Sequence, residues 1–197
     1  SVKILVIEDE DIDYEKLEML AHEGFIRRAA AINQPFVLKG SYITRQYFSD
    51  PALRIPADVD WVYINKINDE PTARKIFNDW ATQVTELSME DDIVFTSFKE
   101  NEFWRRIDYA MSDDFPTVNT DLKCKVSGIE VNFDLDISFN LDIEHPVIPL
   151  NYMPLFGEAF TIPRTVPLSL QVAWKIHQTI VRPRFKDLFD LTHLVQH

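Results

Sequence analysis

The stretch "PADVDWVYIN" (56–65) sets Asp58 and Asp60 one residue apart at the start of an apolar run. In a strand, residues i and i+2 point to the same side, so these acids share a face that continues as Val62 and Ile64. Two carboxylates leading into an apolar face lose solvation and repel each other. A cation between them relieves both costs, and hard oxygen ligands suit Mg²⁺ or Mn²⁺. The same spacing also fits acids on a solvated loop ahead of the strand. Upstream, Gly40-Ser41 closes one strand and opens a helix. A glycine there lets backbone amides approach a phosphate, and a helix N-terminus favours negative charge. A plain strand-to-helix turn with Ser41 as its cap is the simpler alternative.

Further candidates lie downstream. In "FDLDISFN" (133–140), Asp134 and Asp136 fall on the polar face of an alternating strand. If that strand pairs beside 58–65, one of them completes a three-carboxylate cluster. Lys175 and Thr179 are four residues apart and share a helix face, where they could meet a triphosphate or solvent alone. The chain then runs into "RPRFKDLFDL" (182–191), in which Arg182, Arg184 and Lys186 exceed what Asp187 and Asp190 can pair.

The elements that position these residues are legible from periodicity. Residues 2–7 read as a short strand and 13–31 as a helix, with Leu17, Leu20, Ala21 and Phe25 at helical spacing. "FVLKG" (36–40) reads as a strand and 41–48 as a short helix, followed by a proline-punctuated loop and the strand 58–65. Residues 71–89 form an amphipathic helix burying Ile76, Phe77, Trp80, Val84 and Leu87. Strands follow at 92–98 and 103–111, then a hairpin over 122–140 turning at Ser127-Gly128. Extended, proline-rich chain covers 146–167, and helices cover 168–181 and 184–195. The expected architecture is α+β: a mixed sheet with flanking helices over 1–162 and a C-terminal helical part over 163–197.

Composition narrows the classes. A chain of 197 residues, 46% hydrophobic and with only four glycines, is long and apolar enough to bury a core. The single cysteine, Cys124, excludes an intramolecular disulfide and a cysteine-built zinc site, which suits the cytoplasm. No apolar run is long enough to span a bilayer, so no membrane association is expected. The net charge of −12 argues against broad nonspecific nucleic-acid binding. From Pro163 onward, however, five Lys or Arg stand against two Asp, a surplus of three positive charges, so the first 162 residues carry −15. A locally basic tail on an acidic body can hold a small or locally docked anion.

Taken in order, "FVLKGSYITRQYF", "ADVDWVYI", "FDLDISFN", "PLSLQVAWKIHQT" and "RPRFKDLFDL" resemble the AbiEii/AbiGii toxin family of nucleotidyltransferases. The resemblance covers most of the chain. It implies a minimal nucleotidyltransferase fold in which Gly40 and Ser41 contact nucleotide phosphates and Asp58, Asp60 and Asp136 hold Mg²⁺ or Mn²⁺. It further implies that Lys175 and Thr179 face the triphosphate of an NTP and that Asp187 is needed for activity. Members are toxins opposed by a separately encoded antitoxin that acts without a stable complex. Some are similar to enzymes that extend transfer RNA, which makes RNA the implied acceptor and the basic tail its place.

Two other readings stand beside this one. The scaffold could have lost its chemistry and serve as an interaction or regulatory protein. Alternatively, "KILVIEDED" could open a receiver domain. There Asn65 occupies the phospho-acceptor position, and the hairpin at 122–140 has no place.

Overall fold

Alternation in sequence becomes a two-faced sheet. The computed structural model describes residues 7–8, 11–47, 56, 58–107, 116–141 and 147–181. Strands β1 (Ile7–Glu8) and β2 (Asp11–Ile12) form a small antiparallel pair of their own. Helix α1 (Tyr14–Ala31) begins at Asp13, whose side chain accepts the Lys16 amide at 3.0 Å. After it come β3 (Phe36–Lys39), a short helix α2 (Ser41–Thr44) with a 3₁₀ turn, and β4 (Val59–Tyr63). Helix α3 (Glu70–Glu86) is capped by Asp69. Then follow β5 (Ile93–Phe95), β6 (Arg105–Ile107), β7 (Thr117–Val126), β8 (Ile129–Phe139), β9 (Ile148–Tyr152), β10 (Phe160–Thr165) and helix α4 (Leu168–Val181).

The main sheet runs β5-β7-β8-β4-β3-β10-β9, with β6 also pairing β7. Strands 36–40, 58–65 and 130–139 are therefore neighbours, as the sequence requires of a shared site. The β7–β8 hairpin turns at Ser127 (φ 48°) and Gly128 (φ 82°), a pair of left-handed residues that matches the twist of the flanking strands. β4 pairs in parallel with β8 and β3 in parallel with β10, so this is a mixed sheet and not the all-parallel sheet of a receiver. The stretch expected as merely extended, 146–167, supplies two strands. Pro163 is accommodated at a register shift between Ile162 and Thr165, and Pro149 lies on the edge strand β9, the two settings in which a strand tolerates proline.

One face of the sheet is covered by α1 and α3. Phe36 stacks on Trp80 at 3.8 Å between ring centroids, and Phe25 meets Trp80 edge-on at 5.6 Å. Leu17, Phe77, Trp61, Leu135 and Ile137 complete this core. α1 buries more than its apolar stripe. Arg28, 1% exposed, donates to Asp91 at 2.7 and 3.0 Å and to the carbonyls of Leu87 and Ile93, both at 2.9 Å. It thereby ties α1 to the end of α3 and to β5. Replacing Arg28 by Ala leaves Asp91 to Arg27 alone, strands the Leu87 and Ile93 carbonyls and is expected to cost about 2–4 kcal/mol, measured by urea denaturation. A loss below about 1 kcal/mol would show that the ion pair does not hold these elements together.

Candidate functional site

The other face carries a row of polar residues in register across five strands. Lys39 of β3 stands opposite Asp60 of β4, and Asp60 opposite Asp136 of β8. Asp136 stands opposite Asn119 of β7, and Asn119 opposite Arg105 of β6. Opposed residues share a face, so the register alone gathers them. Asp58, just ahead of β4, closes the group: one ligand oxygen from each of Asp58, Asp60 and Asp136 lies within 4.8 Å of the others. Asp58 and Asp60 are partly buried and Asp136 is buried. Three hard-oxygen donors at this spacing fit a divalent cation.

Each neighbour has a definable role in shaping the cluster. Gly40 follows Lys39 with φ +86°, and a Cβ there would lie 2.7 Å from Asp60 Oδ2. Only glycine both adopts that conformation and leaves room for the carboxylate. The Gly40 amide donates to Gln171 Oε1 at 3.0 Å, and Gln171 Nε2 donates to the Val166 carbonyl at 3.1 Å, so α4 is fastened to the turn. Ser41 is not the helix cap that the sequence suggests. Gly40 holds the cap position without a side-chain bond, and Ser41 is the first helical residue. Asn119 Nδ2 donates to Asp136 Oδ1, while Arg105 donates to Asn119 Oδ1 at 2.8 Å and to Asp121.

Behind Ser41, the Tyr42 hydroxyl shares a 2.5 Å hydrogen bond with His22 Nδ1, and burial pushes His22 down to about 3, so it is neutral. Glu18 and Asp134 lie on the acidic rim. Burial raises both carboxyls above their usual range; Asp58 and Asp134 add to the effect at Glu18, Asp121 and Asp58 at Asp134.

The polar face expected for β8 is solvated as far as Asn132 and Asp134 but not beyond them. Asp136 is 8% exposed and Ser138 2%, because the row continues on both sides of them. Burial first, then the Asp60 carboxylate, raise Asp136 to about 7. Lys39, Asn119 and Gln171 are site residues that the motifs did not single out. Lys175 and Thr179 lie on α4, but their side chains, like Asp187, Arg182, Arg184 and Lys186, fall outside the described residues.

The sequence model described as nucleotidyl transferase AbiEii toxin, type IV toxin–antitoxin system, matches residues 25–197. The chain belongs to the AbiEii family. The matched span contains every site residue that the sequence motifs gave, whereas Glu18 and His22 precede it. No curated protein matches the sequence. Among solved structures, JHP933 from Helicobacter pylori superposes with a TM-score of 0.55 at 16% identity, over 97% of this chain and 68% of the other. An H. pylori protein described as a candidate nucleotidyltransferase gives 0.51 at 18%, over 91% and 68%. At these identities the likeness is one of fold. Among the described residues, no helix is long and apolar enough to cross a membrane.

The raised Asp136 makes the site pH-sensitive in a definite direction. Its folded value of about 7 lies above the ordinary 3.8, so its contribution to stability is complete below about pH 4 and is lost as pH rises through 7. A divalent ion needs the carboxylates ionised, so binding opposes this loss and releases protons. The metal-free melting temperature of wild type is expected to fall between roughly pH 5 and 8 relative to Asp136→Asn, and the rise produced by Mg²⁺ to grow over the same window. Parallel pH profiles for the two proteins would contradict the assignment.

Proposed function

We propose that the protein is an NTP- and metal-dependent nucleotidyltransferase that transfers a nucleotidyl group to a hydroxyl at the end of an RNA, transfer RNA being the acceptor class the family resemblance implies. The observation that carries this reading is the convergence of Asp58, Asp60 and Asp136 beside Gly40, where the Asp60 carboxylate leaves no room for a side chain. Three acids held together in a partly buried site repel one another, a standing cost that a bound cation removes. Mg²⁺ or Mn²⁺ would supply charge neutralisation and a lowered pKa for the attacking hydroxyl.

The chain's own groups account for the remainder. The acceptor oxygen forms a bond to the α-phosphorus as the bond to the bridging oxygen breaks, and pyrophosphate leaves. The hydroxyl proton passes to a carboxylate, Asp60 or Asp136. Asp136 suits the role because Asn119 fixes its orientation and its affinity for protons is raised toward neutral pH. Ser41, at the first turn of α2, is assigned to the nucleotide phosphates. The Gly40 amide is engaged by Gln171, so Gly40 acts by shape. Lys175 and Thr179 are assigned to the β- and γ-phosphates, with Asp187 as a supporting residue. The acidic rim formed by Glu18 and Asp134 favours a triphosphate that arrives complexed with cations.

The expected boundary at 163 falls inside β10, so the C-terminal helical part is proposed to begin with α4 and to be carried onto the core through it, with its basic tail as the acceptor surface. As an AbiEii toxin the protein is proposed to act in the cytoplasm, opposed by an antitoxin that forms no stable complex with it.

Incubation with labelled NTPs, Mg²⁺ and total cellular RNA is expected to label RNA, and Asp58→Ala to reduce transfer at least about a hundredfold. Transfer retained in Asp58→Ala would overturn the carboxylate mechanism. No transfer to any acceptor by wild type would favour a scaffold that has lost its chemistry.

A further inference from the structure

Lys39 ends the cross-strand row, beside the carboxylates and beneath α4. It is directly opposite Asp60, and side chains so paired have their Cβ atoms about 4.5–5.5 Å apart. Burial lowers its pKa from the usual lysine value, and the Asp60 and Asp136 carboxylates act against that and favour the ammonium. Its ammonium lies 5.4 Å from the centroid of the Trp174 ring, a cation–π distance. Trp174 is itself placed by Gln171, one turn earlier on α4, which grips the Gly40 amide. An aromatic ring and a strand register therefore hold this cation at the mouth of an acidic cluster.

We propose that Lys39 is the resident counter-cation of the carboxylate site and that it makes the site selective for a metal ion bringing a triphosphate over a metal ion alone. The inference rests on the metal-binding reading above. The ammonium already compensates Asp60 and Asp136, so an incoming divalent ion meets a like charge and binds weakly. Once that ion neutralises the carboxylates, the ammonium is surplus positive charge, and an anionic phosphate chain satisfies it. Lys39 thus opposes metal binding alone and favours binding of the metal–triphosphate complex. A purely structural residue would not produce these two effects of opposite sign.

The test uses the full chain with Mn²⁺ followed by electron paramagnetic resonance, and then a nonhydrolysable NTP analogue at saturating Mn²⁺. Lys39→Met keeps the aliphatic stem against Trp174 and removes the charge. It is expected to bind Mn²⁺ about tenfold more tightly and the analogue about tenfold more weakly. Lys39→Arg keeps the charge and is expected to behave as wild type. Lys39→Gln provides the neutral variant should Lys39→Met fail to fold. Unchanged or weaker Mn²⁺ binding in the neutral variants overturns the counter-cation role. Tighter Mn²⁺ binding with unchanged analogue binding overturns the triphosphate selectivity. Wild type that binds Mn²⁺ neither alone nor together with the analogue, with the neutral variants equally silent, overturns the metal reading, and this proposal with it.

Discussion

The parallel pairing of β4 with β8 is the constraint on which the site depends. Its register sets Asp60 against Asp136 at the centre of a sheet, where two like charges would ordinarily be avoided. The surrounding features accommodate that juxtaposition. Gly40 gives up a side chain so that Asp60 has room, Asn119 orients Asp136 by donating to it, and Lys39 supplies opposite charge from the next strand. A one-residue slip of either strand would turn one acid into the core and dismantle the row.

The far side of the sheet supplies the rigidity. Three strands of the row also present aromatic and aliphatic residues to α1 and α3: Phe36 from β3, Trp61 from β4, Phe133 and Leu135 from β8. Their burial against Phe25, Phe77 and Trp80 locks the register that the carboxylates need. The polar interior of α1 performs a related task. Its Arg28 anchors β5 and the end of α3, while His22 reaches Tyr42 behind the Gly40 turn. Core packing and site geometry are thus set by the same strands, seen from opposite faces.

Much of this was legible from residue patterns. The period of two in β8, the turn at Ser127-Gly128, the Asp58-x-Asp60 pair and the burial of Phe77, Trp80 and Val84 on α3 all follow local rules, although that helix ends at Glu86 and leaves Ile76 and Leu87 only partly buried. What escaped was non-local. Strands β9 and β10 were obscured by prolines that a bulge and an edge position absorb. The burial of Asp136 depends on which strands flank it, and a single strand's alternation does not carry that information. Lys39 and Gln171 were missed for the same reason. The first looks like an ordinary strand-end lysine and the second like a polar helix residue, until the fold sets Lys39 against Trp174 of α4, 135 positions on, and Gln171 against the Gly40 amide, 131 positions back.

The central claim is that the three aspartates form one cation site. It is tested most directly by anomalous diffraction at the manganese edge from crystals soaked with Mn²⁺ and a nonhydrolysable NTP. The account requires an anomalous peak between Asp58, Asp60 and Asp136, with the triphosphate extending past Ser41. A peak elsewhere on the acidic rim, such as between Asp121 and Asp134, or no peak with nucleotide bound, would contradict it.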